Sequence, residues 1–130
     1  MKRAVVILPT YNERENIAPL IKQLQAEFQH ITNYRISILV VDDNSPDGTQ
    51  TVVRELLLKH PNVHLLTGPK QGLGKAYLRG MDYAINNLHA DVVLEMDADW
   101  QHSPKQIPEF LDKLDQGYDI IVGARYIPGG

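Results

Sequence analysis

Two carboxylates one residue apart, Asp97 and Asp99, are the residues of this sequence whose types and spacing best suit chemistry. In an extended segment alternate side chains project to the same side, and Gln101 continues that parity. Carboxylate and amide oxygens are the ligands that Mg²⁺ and Mn²⁺ prefer. A loop of turn-forming or helix-capping aspartates explains the same residues equally well. The position of Asp97 and Asp99 directly after a buried strand favours the metal interpretation, because uncompensated charge there is costly.

The segment Asp42–Gly48 contains a second carboxylate pair, Asp42 and Asp43, followed by residues that favour turns. One interpretation is a turn in which an aspartate caps the next helix. In the other interpretation, a carboxylate accepts hydrogen bonds from the base or ribose of a nucleotide. Taken alone, the segment favours the turn.

The segment Pro9–Glu13 also follows a predicted strand. Tyr11 offers a ring for a nucleotide base, Glu13 offers an acceptor, and the helix that follows would present free N–H groups to an anion. Helix capping by Asn12, three residues before Glu15, would explain part of this pattern.

The glycine-rich segment Gly68–Lys75 is not a phosphate-binding loop of the Walker A type. That motif requires glycine where this sequence has Pro69, and Ser or Thr where it has Ala76. The segment instead predicts a flexible loop that enters a helix, with Lys70 or Lys75 available to a diphosphate.

Three residues near these loops allow both a functional and a structural interpretation. Arg125 could bind phosphate oxygens through its guanidinium fork, although most such arginines lie on the surface. His102 could act as a ligand or a base, but a position in a capping turn is the more common case. Trp100 is expected to pack against the protein or to contact lipid.

The elements that must position these loops alternate between two patterns. Short runs rich in β-branched residues predict five strands, at Ala4–Leu8, Ile36–Val41, Val63–Leu66, Val92–Glu95 and Ile120–Val122. Apolar residues at helical spacing lie between them, in stripes that begin near Ile17, Val52, Ala76 and Ile107. Ser103-Pro104 is a start signal for the last of these helices.

Such βα alternation predicts an α/β fold: a three-layer α/β/α sandwich whose central sheet is mostly parallel. Ligands of such sheets bind at the carboxyl ends of the strands, where all the acidic and polar loops described above fall. The absence of repeats and linkers predicts a single domain over residues 1–130. Its last four residues resemble a connector, so we expect the domain to be truncated at its C-terminus.

Composition excludes several classes of function. Thirteen Lys and Arg against 16 Asp and Glu give a net charge of −3 without a basic run, which argues against nucleic-acid binding. The absence of cysteine excludes disulfides and thiolate metal sites. No apolar stretch reaches the length needed to cross a bilayer, and the N-terminus is unlike a signal peptide.

Four motifs in order give the sequence a family resemblance that covers essentially the whole chain. They are Pro9–Asn16, Val40–Thr49, Met96–His102 and Gly123–Tyr126. Together they resemble the family 2 glycosyltransferases of the Rossmann-like, nucleotide-sugar-binding GT-A fold, and within them the branch that acts on dolichyl and other polyprenyl phosphates.

The resemblance implies a nucleoside-diphosphate sugar donor, GDP-mannose, and a polyprenyl-phosphate acceptor. It assigns the nucleoside end of the donor to Pro9, Tyr11, Glu13, Val41 and Asp43. It places Asp97, Ala98 and Asp99 near the ribose, the diphosphate and a divalent cation, Mg²⁺ or Mn²⁺. The cation ligands would be Asp99 and Gln101, and Arg125 would meet phosphate. Asp99 and Arg125 would therefore carry the catalysis.

The implied chemistry needs no strong general base, because the acceptor phosphate is already anionic; in-line attack would invert the anomeric centre. The resemblance also implies a cytoplasmic protein, peripheral at the cytoplasmic face of a membrane, with any anchoring segment or subunit outside this chain. Two departures are Trp100, where the family usually has Leu, and a family catalytic domain that continues well past Gly130.

Several alternatives remain open on the sequence. The same fold accepts UDP-glucose, and a nucleotidyltransferase would share the metal carboxylates but attack the α-phosphate. A phospho-receiver domain is disfavoured, because its acidic pair should follow the first strand. A truncated chain that binds nucleotide without turnover is the remaining alternative.

Overall fold

The computed structural model describes residues 1–98 and 104–115. Within these ranges strands and helices alternate along the chain. The strands are β1 (Lys2–Thr10), β2 (Tyr34–Asp42), β3 (Val63–Thr67) and β4 (Val92–Glu95). The helices are α1 (Ile17–Phe28), α2 (Thr49–Lys59), α3 (Leu73–Asn86) and α4 (Gln106–Asp115). The predicted strand Ile120–Val122 lies outside the described residues.

The four strands form one parallel sheet in the order β3-β2-β1-β4, as the alternation predicts. The central pair is in register over its whole length, from Lys2 opposite Tyr34 to Thr10 opposite Asp42. The carboxyl ends of β1 and β2 therefore lie side by side, and the loops that follow them meet at one edge of the sheet.

Helices cover both faces of the sheet and complete the predicted three layers. One face packs against α1, α2 and α4 through alternate strand residues such as Val6 and Ile38. The opposite face packs against α3 through the intervening residues such as Val5 and Leu39. Strands buried on both faces explain why the first two runs of the sequence are almost continuously apolar.

Helix α3 approaches the sheet closely because it has glycine at position 80. A Cβ atom at Gly80 would lie 2.8 Å from Ile7 Cγ2 and 3.0 Å from Val41 Cγ2, closer than packed side chains allow. The close approach places the first half of α3, which carries Tyr77 and Arg79, beside the loops at the carboxyl edge of the sheet.

The start of α1 differs from the prediction. Asn12 does not cap the helix: its φ is +58°, and its N–H donates to Ser45 Oγ at 2.9 Å. The first helical turn instead begins at Glu13, whose carbonyl accepts the N–H groups of Asn16 and Ile17 at 3.0 and 2.9 Å. The left-handed backbone at Asn12 depends on a contact with a residue 33 positions away, which local spacing does not reveal.

Candidate functional site

A pocket of about 240 Å³ lies at the carboxyl edge of the sheet. The loops after β1, β2 and β4 form it together with the loop that enters α3. Its lining residues are Pro9, Thr10, Tyr11, Glu13, Asp43, Lys70, Gly72, Leu73, Asp97 and Ala98. Six of the residues predicted from the sequence are thus brought together: Pro9, Tyr11, Glu13, Asp43, Asp97 and Ala98.

Asp42, the first of the two adjacent aspartates, is a structural residue. Its side chain is fully buried and accepts hydrogen bonds from Thr10 Oγ1 at 2.7 Å and Gln50 Nε2 at 2.9 Å. It also accepts the N–H and the hydroxyl of Ser45 at 2.8 and 2.6 Å. These four bonds satisfy the buried carboxylate. The turn interpretation of the Asp42–Gly48 segment is therefore right for Asp42.

Asp43, the second aspartate, lines the pocket. Its backbone N–H donates to the Thr10 carbonyl at 3.0 Å, which ties the loop after β2 to β1. Its Oδ1 forms an ion pair with an Nη atom of Arg79 at 2.5 Å, and its side chain is only 9% exposed. The adjacent carboxylates therefore have separate roles, one inside the turn and one facing the pocket.

Arg79 reaches Asp43 from α3 by lying across the loop that precedes that helix. A Cβ atom at Gly68 would lie 2.9 Å from the guanidinium carbon, so glycine leaves the space that the arginine occupies. A second Nη atom donates to the Pro69 carbonyl at 3.4 Å, a long bond, and the buried Nε has no hydrogen-bond partner among the residues that the structure describes. The arginine is thus held mainly by its ion pair with Asp43.

Tyr11 and Lys70 both line the pocket and contact each other. The Lys70 ammonium lies 3.9 Å from the centroid of the Tyr11 ring, a cation–π contact. Tyr11 is 38% exposed, so part of the side chain is open to a ligand. A partly exposed aromatic ring beside a lysine suits a ligand that combines a flat base with phosphate.

Asp97 follows β4 and is held from α3. The hydroxyl of the nearly buried Tyr77 donates to Asp97 Oδ1 at 2.8 Å. The carboxylate is partly buried at the edge of the pocket, on the side opposite Asp43 in the sheet order. A ligand that spans the pocket would meet a fixed carboxylate at each end.

The loops after β1 and β2 form a network of hydrogen bonds around Asp47. Asp47 Oδ1 accepts the N–H and the hydroxyl of Thr49, and its Oδ2 accepts the N–H of Arg14 at 3.2 Å. These hydrogen bonds hold the pKa of Asp47 below its ordinary value, and the bond from the Thr49 hydroxyl has the largest effect. The Thr49 hydroxyl in turn accepts the N–H of Glu13 at 3.1 Å, so this network fixes the loop that carries Glu13.

The glycine loop leads into α3, as the sequence predicts. Its Gly72 has a φ of +98°, a conformation that favours glycine, and α3 begins at the next residue. Lys70 and Gly72 line the pocket, whereas Lys75 does not.

The remaining predicted residues fall into two groups. Val41 is fully buried beneath α3 and does not line the pocket, so any contact with a nucleoside would use its backbone. Asp99, Gln101 and Arg125 lie outside the described residues, as do Trp100 and His102. Among residues 1–98 and 104–115, no three His, Asp or Glu side chains cluster closely enough to hold a metal. The metal site therefore stays a prediction.

Sequence reasoning missed three contributors to the site: Thr10, Tyr77 and Arg79. Tyr77 and Arg79 lie within α3 and belong to no motif, whereas Thr10 lies in the Pro9–Asn16 motif but was given no role there. The one available signal was the interrupted stripe of α3, where an arginine sits next to the close-packed Gly80.

Comparisons with known proteins agree with this geometry. Residues 5–130 match the model of the family described as glycosyl transferase family 2. The polyprenol monophosphomannose synthase of Mycolicibacterium smegmatis is 44% identical over 99% of this chain and 47% of its own length. The dolichol-phosphate mannosyltransferase of Pyrococcus furiosus is 42% identical over 96% of this chain and 34% of its own length. The chain thus spans about half or less of these relatives.

Solved structures give the same fold. A mannosyltransferase from Pyrobaculum calidifontis, solved in complex with GDP-Man and Mn²⁺, is 27% identical and superposes with a TM-score of 0.60. That match covers 79% of this chain and 29% of the other. Mannosyl-3-phosphoglycerate synthase from Rubrobacter xylanophilus shares the fold, with a TM-score of 0.68 at 23% identity over 87% of this chain and 36% of its own.

The membrane predictions are tested only in part by the fold. Across residues 1–98 and 104–115, every helix is too short or too polar to cross a bilayer.

The family match covers nearly the whole chain and agrees with the α/β architecture and with the pocket at the carboxyl edge of the sheet. The chain therefore belongs to glycosyl transferase family 2.

Proposed function

We propose that the protein is a hexosyltransferase that moves mannose from GDP-mannose to a polyprenyl phosphate with inversion and with a divalent metal. The observation that carries this proposal is the pocket in which the carboxylate of Asp43, fixed by Arg79, lies beside the exposed ring of Tyr11. The names of the relatives, a polyprenol monophosphomannose synthase and a dolichol-phosphate mannosyltransferase, support the choice of sugar and acceptor.

The nucleoside end of the donor would bind between Tyr11 and Asp43. Guanine presents two adjacent N–H groups, which a carboxylate can accept together. The carboxylate of Asp43 is nearly buried and already oriented by its ion pair with Arg79, so little side-chain entropy would be lost when a base binds. The Tyr11 ring would cover one face of the base.

The diphosphate would extend from the nucleoside toward Asp97 and Ala98. Lys70 is the cation of the described pocket lining and would attract the phosphates. Asp99 and Gln101, which follow Ala98 in the sequence, carry the oxygen donors that suit Mg²⁺ or Mn²⁺. When bound, the metal would act as a Lewis acid that offsets negative charge on the departing nucleoside diphosphate.

The acceptor would not need a strong general base from the protein. A polyprenyl phosphate is an anion at neutral pH, so its oxygen can attack the anomeric carbon without a strong base. Arg125 would add a positive charge near the departing diphosphate. Attack from the side opposite the leaving group would give the β-linked mannosyl phosphate.

Calorimetry tests the donor site. The protein is titrated with GDP-mannose and UDP-glucose, with and without Mn²⁺, and GDP-mannose should bind more tightly and in a metal-dependent way. Asp43→Asn should weaken nucleotide binding about tenfold or more, since a hydrogen bond to a charged group contributes about 1.5–3 kcal/mol. Asp112→Asn, at an exposed position of α4, is the matched control.

The outcomes separate the parts of the proposal. Failure of every nucleotide to bind would refute the donor site, and an unchanged metal titration in Asp99→Ala would refute the ligand role of Asp99. Uracil also presents an N–H group to a carboxylate, so tighter binding of UDP-glucose would favour the glucosyltransferase alternative. Binding without sugar transfer to a polyprenyl phosphate would identify a nucleotide-binding chain that lacks turnover.

A further inference from the structure

A second pocket, of about 240 Å³, lies at the amino-terminal edge of the sheet, under the end of α3. Its lining residues are Arg3, Val5, Arg35, Ser37, His64, Asn87 and Leu88. The Arg3 end of β1 is six residues from Pro9, so this pocket lies about 20 Å from the donor pocket at a rise of about 3.3 Å per residue. It is therefore separate from the site already described.

The basic residues of this pocket share one face of three neighbouring strands. Arg3 is on the same face of β1 as Val5, and Arg35 is on the same face of β2 as Leu39. His64 shares its face of β3 with Leu66, which packs against the same core beneath α3. Sheet geometry thus directs two guanidinium groups and an imidazole to one pocket.

The two arginines are direct neighbours. Arg3 pairs with Arg35 in the parallel register, on strands about 4.8 Å apart. Like charges opposite each other on one sheet face destabilise the pair. In the described part of the chain neither guanidinium forms an ion pair; Asp91 accepts the backbone N–H of Arg3 at 2.9 Å but is not an ion-pair partner of its side chain.

The surroundings of the arginines are also suited to an anion. Ser37 is half-buried at the pocket wall and carries a hydroxyl donor, and His64 is half-buried beside it. Among the described residues, the pocket lining contains no carboxylate. Every charged or titratable group of the lining is thus either a cation or able to become one.

We propose that Arg3, Arg35 and His64 form a binding site for a phosphate group at the amino-terminal edge of the sheet. Guanidinium groups bind phosphate oxygens through parallel N–H donors. Donors on three strands suit a tetrahedral dianion better than a planar carboxylate, which has only two oxygens. The phosphate belongs to a soluble phosphate ester or to the headgroup of an anionic lipid, which offer the same chemistry to this site.

Nuclear magnetic resonance tests the site without relying on the donor pocket. Inorganic phosphate is added to the protein at constant ionic strength, with chloride as the comparison, while the guanidinium and imidazole signals are followed. The signals of Arg3, Arg35 and His64 should shift in a saturable way with phosphate only. Tyr11 and Lys70 report separately on any phosphate in the donor pocket.

Variants with a matched control complete the test. Arg35→Gln and Arg3→Gln should each weaken phosphate binding about tenfold, from the loss of charge-assisted hydrogen bonds. Arg35→Lys keeps the charge without the planar fork, so its phosphate affinity should lie between those of the wild type and Arg35→Gln. Lys22→Gln removes one positive charge from an exposed position of α1, on the other face of the sheet, and should bind as the wild type does.

Vesicles distinguish the two sources of phosphate. If vesicles of phosphatidylcholine and phosphatidic acid retain the wild type more than Arg35→Gln, and pure phosphatidylcholine vesicles retain neither, the site binds a lipid headgroup. If only inorganic phosphate binds, the ligand is a soluble phosphate ester. Shifts that do not saturate, or that are equal in the wild type and Arg35→Gln, would overturn the proposal.

Discussion

At the scale of single residues, the two adjacent aspartates show how neighbouring side chains of one type take different roles. Asp42 points into the protein and is saturated by hydrogen bonds, whereas Asp43 points into the pocket and has one strong partner. Successive residues at a strand end face opposite sides, so the pair divides between core and ligand. The residue types alone do not say which of the two faces a ligand, although the family resemblance assigns the nucleoside contact to Asp43.

Arg79 is the residue whose role only the structure reveals. It lies 36 positions from Asp43, and an arginine on an amphipathic helix has no distinguishing local pattern. Within residues 1–98 and 104–115 its guanidinium has one strong contact and its Nε has no partner, so its position there depends on Asp43 and on the space at Gly68. We interpret Arg79 as a positioning residue that fixes the direction of the pocket carboxylate.

Replacing Arg79 with Met should weaken nucleotide binding about tenfold and lower the free energy of unfolding by about 1–3 kcal/mol, because Asp43 is left as a nearly buried charge without a partner. Calorimetric titration and urea denaturation measure the two effects. The double variant with Asp43→Asn separates them: its stability should recover toward that of the wild type, while nucleotide binding should stay weak. Recovery of both would show that nucleotide binding needs neither the Asp43 carboxylate nor its ion pair with Arg79.

At the scale of elements, the strands were the most predictable part of the protein. All four described strands fall within a few residues of their predicted bounds, and in β1 and β2 burial on both faces demands almost uninterrupted apolar runs. The start of α1 was predicted wrongly, because the backbone at Asn12 is set by Ser45 in a distant loop. The topology alone predicted that the acidic loops would lie at one edge of the sheet. It did not predict which side chains their carboxylates would contact.

Two glycines of α3 give opposite predictions. Gly80→Ala should lower the free energy of unfolding by about 1–3 kcal/mol, since the added methyl group would overlap side chains of β1 and β2 in a packed core. Gly74→Ala meets open space in the first turn of the same helix and should raise stability by about 0.5–1 kcal/mol.

Chemical denaturation of both variants measures these effects, and calorimetry then tests the coupling to the pocket. Because α3 carries Arg79 and Tyr77, displacement of the helix by Gly80→Ala should also weaken nucleotide binding. Equal stability of the two alanine variants would contradict the close approach of α3 to the sheet.

At the scale of the whole molecule, the sheet has chemically different ends. Its carboxyl edge carries aspartates, with Lys70 and Tyr11 above them, and belongs to the donor pocket. Its amino-terminal edge carries two arginines, which form no ion pair with the described residues, beside His64. Hydrophobic packing between the ends holds them in one body, so ligands at either end should stabilise the same fold.

The amino-terminal edge should give the protein a pH-dependent stability. Burial lowers the pKa of His64 from its ordinary value of 6.5, so the folded state favours the neutral imidazole. As the pH falls through 6.5, the unfolded chain takes up this proton first, and the free energy of unfolding declines until His64 of the folded state is protonated too. Stability from this residue is thus fully present above the ordinary pKa and is lost below it.

Thermal unfolding followed from neutral to mildly acidic pH in phosphate-free buffer measures the decline. His64→Gln should flatten it, while the same change at the exposed His30 should leave the profile close to that of the wild type. Added phosphate favours the protonated imidazole if the anion binds beside it, so it should flatten the wild-type profile and leave that of His64→Gln unchanged. Profiles of equal slope in the wild type and His64→Gln, with and without phosphate, would show that His64 contributes nothing to the pH dependence of the fold.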